Sequence, residues 1–152
     1  MPKVSTANET MEMEPPLPET RLGRLLSLAQ KHASRSLRAE LEPFGITPVQ
    51  FAVLIELYCR DGLSLNSLSE RLRADPPTIS GVVDCLVSAG YVERRPDPND
   101  RRRLRLFATE KARAIEDELY AADARREAAM TRRLAPEERE ALKELLRRVV
   151  GL

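Results

Sequence analysis

Residues 75–108, DPPTISGVVDCLVSAGYVERRPDPNDRRRLRLFA, set a capped helix directly before a short arginine-loaded hairpin, and few folds accommodate that succession. Asp75 can cap a helix, and the fixed φ of Pro76 suits a first helical position. Ile79, Val82, Val83, Leu86 and Val87 recur at helical spacing, so one face is apolar. Gly90 can take the left-handed conformation that closes a helix. Two extended segments follow, Tyr91 to Pro96 and Leu104 to Ala108, around a Pro/Asn/Asp tip. A buried helix followed by a basic hairpin reads as a winged helix-turn-helix, and nucleic acid is the first partner it implies.

Charge sharpens that reading. The chain of 152 residues carries a net charge of only +1. Residues 94–105 nevertheless hold six arginines against Asp97 and Asp100, a local +4, which leaves −3 for the remainder. Positive field concentrated in one finger is what phosphate contact requires. The length is that of one domain, with enough chain for a core without disulfides or metals. Cys59 and Cys85 form no CxxC, and with one histidine no His/Cys metal cluster is indicated. No cofactor is expected. Apolar runs extend only a few residues, too short to cross a bilayer, and the N-terminus has no basic-then-apolar export signal, so a soluble cytoplasmic protein is expected.

Along the chain, residues 1–16 have nothing with which to bury a face and read as a flexible tail. A helix is predicted from about Leu17 to Leu41, with Leu22, Leu25, Leu26, Ala29, Ala33, Leu37 and Leu41 on one stripe; Pro43 and Gly45 end it. Thr47-Pro48-Val49-Gln50 has the capping-box spacing, after which Phe51, Leu54, Ile55 and Tyr58 line one side. Asp61-Gly62 breaks that helix, and Leu63 is placed to pair briefly with the hairpin. A short helix, about Asn66 to Leu72, turns Leu65, Leu68 and Leu72 inward and leads to Asp75. After the hairpin, Thr109 caps a predicted long helix to about Leu134, and Pro136 opens a last one striped by Leu142, Leu145, Leu146, Val149 and Val150. The terminal helices lack enough other core to cover these stripes, so a homodimer in which they bury each other is expected. The fold class is mainly α with a small β-hairpin wing. A helix-turn-helix lobe over 46–108 is flanked by dimerisation helices over 17–45 and 109–152.

Residues 91–112, YVERRPDPNDRRRLRLFATEKA, resemble the wing of the MarR family of bacterial transcription regulators. TPVQFAVLIEL and LSERLRADPPTISGVVDCLVSAGY are similar to that family's second, third and fourth helices, and the likeness extends from about Leu17 to Leu152. The Asp-x-Asn-Asp-Arg-Arg wing is its specific part. The resemblance implies a triangular dimer whose DNA-binding lobes are held apart by interlocked terminal helices. It also implies repression, occasionally activation, relieved by a small molecule or an oxidant.

Site residues follow partly from chemistry and partly from this likeness. The wing arginines could simply pair with Asp97, Asp100 and Glu93, but they outnumber those partners. In the functional reading a tip arginine enters the minor groove and its neighbours meet phosphates. The family pattern makes Arg102 the groove residue, oriented by Asp100, with Arg101 and Arg103 flanking. Arg94, Arg95 and Arg105 lie in strands, where alternation sends some away from DNA.

On the recognition helix Pro76, Pro77, Thr78, Ser80, Gly81 and Cys85 are the candidate DNA contacts, and Pro77, Thr78, Gly81, Asp84, Cys85 and Ser88 lie opposite the buried stripe. The family often carries a basic residue where this chain has Gly81 or Cys85, and no Lys or Arg occurs between Pro76 and Gly90. Arginine-to-guanine readout from the helix itself is therefore excluded. Thr78 and Ser80 can hydrogen-bond bases or phosphates, and Pro77 can touch a thymine methyl. The same face could instead pack on a protein.

Cys85 is read either as an oxidation switch or as a small residue permitting close approach to the groove. Peroxide-sensing relatives keep their cysteine early in the first helix, whereas this chain has none before Cys59, which is expected to be a semi-buried filler. His32 sits where the family's ligands bind, and Leu28, Phe51 and Ile55 could line the same crevice. Equally, His32 could be an ordinary solvated side chain and the others plain core. A small aromatic or anionic effector is implied by the family and not by these residues.

Two functions compete: a dimeric sequence-specific regulator of double-stranded DNA with a pseudo-palindromic operator, and a non-regulatory winged-helix module for architectural DNA or protein binding. An enzyme is not indicated, because the sequence has no Gly-rich phosphate loop, no nucleophile–base set and no metal cluster.

Overall fold

In a computed structural model the described residues are 21–152; the predicted tail and the start of the first helix lie outside them. Seven helices and one hairpin follow in order: α1 (Leu22–Leu41), a 3₁₀ turn (Glu42–Phe44), α2 (Pro48–Cys59), α3 (Leu65–Leu72), α4 (Pro76–Ser88), β1 (Val92–Pro96), β2 (Leu104–Ala108), α5 (Glu110–Arg113), α6 (Glu116–Met130) and α7 (Pro136–Val150). The chain divides into two units, residues 1–31 and 32–152, with the boundary inside α1.

The first unit contributes the start of α1, where Leu22, Leu25 and Leu28 are exposed. The second contains the core, built around α2. Its start is fixed locally: the Thr47 side chain accepts from the Gln50 N–H, and the Gln50 side chain accepts in return from the Thr47 N–H at 2.9 Å. The predicted side Phe51, Leu54 and Tyr58 is buried, but so are Val53 and Leu57. A helix that is apolar on more than one face has to be wrapped. Leu41, Leu68, Ile79, Val83, Leu86, Val92 and Leu106 wrap it. Cys59, expected to be semi-buried, is exposed; one residue past Tyr58, it has rotated off the buried side just as the helix ends.

Ser64 caps α3 by accepting from the Ser67 N–H at 3.1 Å. Arg73, which turns the chain toward α4, is the only non-glycine residue with positive φ among those described, at 51°. Asp75 then caps α4, taking the Thr78 N–H at 2.9 Å and the Thr78 hydroxyl at 2.8 Å. These two bonds hold its carboxyl below the usual carboxylate range. Gly90 closes the far end at φ 79°, the conformation expected of it.

The strands pair antiparallel, with Val92 opposite Ala108 and Pro96 opposite Leu104. Leu63 adds the anticipated bridge to Leu106, its carbonyl accepting from the Leu106 N–H at 2.9 Å. Asp61 completes the anchor by accepting the Ala108 N–H at 2.9 Å and an Arg113 N–H at 2.6 Å.

The long helix expected from Thr109 is broken. Thr109 does cap its start, but α5 ends at Arg113 and α6 begins at Glu116. The cause is a side chain from α2: the buried Tyr58 hydroxyl donates to the Ala112 carbonyl at 2.7 Å. That carbonyl also takes the Ile115 N–H at 3.2 Å, a three-residue turn rather than a four-residue one. Burial raises the Tyr58 phenol well above its ordinary value, so it remains a donor.

Candidate nucleic-acid interface

α4 presents its apolar stripe inward, with Ile79, Val83 and Leu86 buried. The opposite face is open: Pro76, Pro77, Thr78, Gly81, Asp84, Cys85 and Ser88 are all exposed, and Ser80 is half-buried at its edge. A Cβ added at Gly81 would meet nothing within 4 Å, so the middle of this face is flat and unobstructed. Asp84 is the only charged residue of the helix.

The wing stands beside that face, and its arginines divide into two sets. Arg105 is held at the base: its Nε donates to Asp97 at 2.7 Å and its Nη1 to the Gly62 carbonyl at 3.0 Å. Asp97 is itself buried and also accepts the Asn99 N–H at 2.9 Å. The Asn99 amide first, then Arg105, holds its carboxyl below the usual carboxylate range. Arg95 pairs with Glu93 and lies over the Phe107 ring at 4.5 Å. Arg94 reaches across to α4 and meets the Asp84 carboxylate at 2.5 Å.

The tip differs. The Arg102 side chain is 92% exposed and that of Arg103 80%, sharing the single carboxylate of Asp100 at 3.1 and 3.6 Å. Asp100 also accepts the Arg102 N–H, and the Arg103 carbonyl accepts the Asp97 N–H at 2.8 Å, which shapes the turn. Arg101 is exposed and pairs with no carboxylate among the described residues. Asp100 thus lies against Arg102 as expected, with three guanidiniums offered to solvent around one carboxylate.

The residues considered for an effector are less gathered. Phe51 is packed in the core and Ile55 is half-buried one turn further along α2. His32 is exposed on α1, and Leu28, in the first unit, is exposed too. An open groove does exist in the second unit, but Arg35, Arg38, Ala39, Glu42, Gly45, Ile46 and Thr47 line it and none of those four does. Sequence reasoning missed two participants, Asp61 at the foot of the wing and the Arg94–Asp84 pair. Both join residues distant in sequence, and nothing in either local stretch announces the partner.

A capped, two-helix turn followed by a β-hairpin with an exposed cationic tip defines the winged helix-turn-helix class of nucleic-acid-binding proteins. Residues 46–104 match the model of the MarR family. The chain is 33% identical over 132 residues to the multiple antibiotic resistance protein MarR of Escherichia coli K12, covering 85% of this chain and 90% of that protein. It is 31% identical over 127 residues to YkoM, an HTH-type transcriptional regulator of Bacillus subtilis, covering 84% and 82%. Among solved structures, a cysteine-to-serine mutant of E. coli MarR complexed with operator DNA superposes with a TM-score of 0.81 at 30% identity, covering 90% of this chain and 99% of that one. Bordetella bronchiseptica BpsR, described in terms of regulation of its DNA binding by 6-hydroxynicotinic acid, gives 0.84 at 25% identity, covering 91% and 99%. The chain belongs to the MarR family of winged-helix transcriptional regulators.

Proposed function

We propose that this chain is a homodimeric, sequence-specific repressor that grips a pseudo-palindromic operator with α4 in the major groove and the wing tip in the minor groove. The observation that carries the reading is the tip itself, where Arg101, Arg102 and Arg103 are exposed beside the open face of α4. Guanidiniums that outnumber their one carboxylate are available to phosphates and to the negative potential of a narrow groove. That the related E. coli protein was solved in complex with operator DNA supports an operator duplex as the partner. Direct readout falls to Thr78, Ser80 and Pro77, with Gly81 and Cys85 allowing close approach.

Pairing is supported by α7, which has no buried residue and leaves Leu142, Leu145, Leu146, Val149 and Val150 exposed, the last four at 38–62%. A monomer with so long an apolar stripe in water would be unusual, and a second copy is the partner that gives two half-sites about 10 bp apart or a small multiple. Release by a small anionic effector is supported by the 6-hydroxynicotinic acid that regulates DNA binding of BpsR. The Arg35 and Arg38 guanidiniums at the open groove could receive a carboxylate.

Footprinting on the gene's own promoter tests the reading. A short protected pseudo-palindrome is expected, together with a dimer in sedimentation and loss of protection on adding aromatic acids that raise the melting temperature. Uniform coverage of any duplex would favour an architectural role instead, and a monomer without DNA affinity would remove the proposal.

A further inference from the structure

The recognition helix lacks any cation, yet it does not present a neutral face. Asp84, its only charge, is 61% exposed on the side that carries Thr78, Gly81 and Cys85. Left alone, that carboxylate would oppose the approach of a polyanion. It is not alone, because Arg94 Nη2 sits 2.5 Å from its Oδ1. Arg94 comes from β1, ten residues further along the chain, and Asp84 is the only partner found for it among the described residues.

The two other strand arginines are used differently. Arg105 is bound to Asp97 and to a backbone carbonyl, while Arg95 is stacked on Phe107 and paired within its own strand. Only Arg94 is carried to the reading helix. A guanidinium has five N–H donors in a rigid fork. The Asp84 carboxylate engages one edge of that fork, and the Arg94 side chain keeps 31% exposure. The neighbouring turn of α4 is flat at Gly81, so no side chain there screens the pair from a groove.

We propose that Arg94 is the base-reading cation of this protein: a wing-strand arginine lent to a cation-free recognition helix and aimed by Asp84. The pair is a composite specificity determinant. Asp84 fixes the guanidinium, Arg94 offers its free donors to a guanine O6/N7 edge, and the ion pair also locks the wing to α4 so that both grooves are read in one register. The inference rests on the DNA-binding reading proposed above.

Binding of Arg94→Ala, Arg94→Lys, Asp84→Asn and Arg94→Ala/Asp84→Asn dimers is measured against the footprinted operator, each of its single-base-pair variants, and a random duplex. Arg94→Ala should weaken operator binding by about 10- to 100-fold, the range of one bidentate base pairing, should weaken the random duplex distinctly less, through the Asp84 charge it uncovers, and should become indifferent at one base pair of each half-site. Arg94→Lys should not restore discrimination there, because a point charge cannot match two acceptors. Asp84→Asn should weaken discrimination at that same base pair, and the double variant should bind no more weakly than Arg94→Ala alone. If Arg94→Ala folds, melts as the parent does and discriminates every base pair as before, the inference is overturned. Additive effects, or equal weakening on the operator and the random duplex, would also overturn it by reducing Arg94 to a phosphate ligand. Failure of this inference is distinguishable from failure of the wider one: a parent protein that binds no promoter DNA removes both, whereas a parent that binds and depends on Arg101 to Arg103 but not on Arg94 removes only this.

Discussion

The wing has two ends made of the same amino acid with opposite surroundings. At its base, Arg94, Arg95 and Arg105 each have a partner, and the most enclosed of these partners, Asp97, is buried. At its tip, Arg102 and Arg103 share the one carboxylate of Asp100, Arg101 pairs with none among the described residues, and all three stand in solvent. Arginine count alone would assign all six to DNA. Surroundings separate Arg105 from the tip, because a guanidinium already saturated by a carboxylate and a carbonyl gains little from a phosphate, whereas an exposed one releases counterions when it meets one. Of the three at the base, only Arg94 is carried to α4 with donors to spare.

Replacing Arg101, Arg102 and Arg103 together by alanine should therefore have the largest effect on DNA. Operator affinity at moderate salt should fall by about 100-fold or more, and the salt slope should flatten by about 0.9 for each phosphate left unneutralised. Melting should barely move, since exposed pairs contribute little. Unchanged affinity would erase the distinction between tip and base. Arg105→Ala should do the reverse. It strips both the buried Asp97 carboxylate and the Gly62 carbonyl of a donor, so the melting temperature should drop clearly. The salt slope measured well below that temperature should stay as it was.

Asp97 adds a pH signature to the base. Its carboxyl titrates below the ordinary value in the folded chain. The stabilisation it brings is therefore complete above the ordinary carboxylate range and is lost as the pH falls through its depressed folded value. Melting of the parent and of Asp97→Asn should differ at neutral pH, and the difference should shrink in acid. A gap that held constant into acid would mean the carboxylate charge is not what anchors the base.

The same local-versus-distant division explains what could be read in advance. Thr47-Pro48 and Asp75-Pro76 announced their helices because a cap is complete within four residues. The wing tip was legible for a related reason, since Asp100 meets arginines two and three positions away. The break at Ala114 was not, because it is imposed by Tyr58, more than fifty residues earlier, on the Ala112 carbonyl. Asp61 under the wing and Arg94 on Asp84 are of that second kind, as is the exposure of Cys59 at the end of α2. The likeness to a family supplied the fold, but α4 holds no Lys or Arg, and nothing in its own stretch announces that Arg94 reaches it from β1.

The finest test compares two exposed arginines six positions apart. Arg95 is 57% exposed, paired with a half-exposed Glu93, and stacked at 4.5 Å on Phe107. An exposed pair and an exposed cation–π interaction each contribute roughly 0.5 kcal/mol. Arg95→Ala should therefore lower stability by about 1 kcal/mol at most and leave the salt dependence of operator binding alone. Arg101 has neither carboxylate nor ring against it, so Arg101→Ala should leave stability alone and flatten the salt slope by about 0.9. Both changes remove one positive charge from one small hairpin, so net charge alone predicts the same result for both. If the two variants respond identically, long-range field governs this protein's grip on DNA; if they part, it is the company each guanidinium keeps.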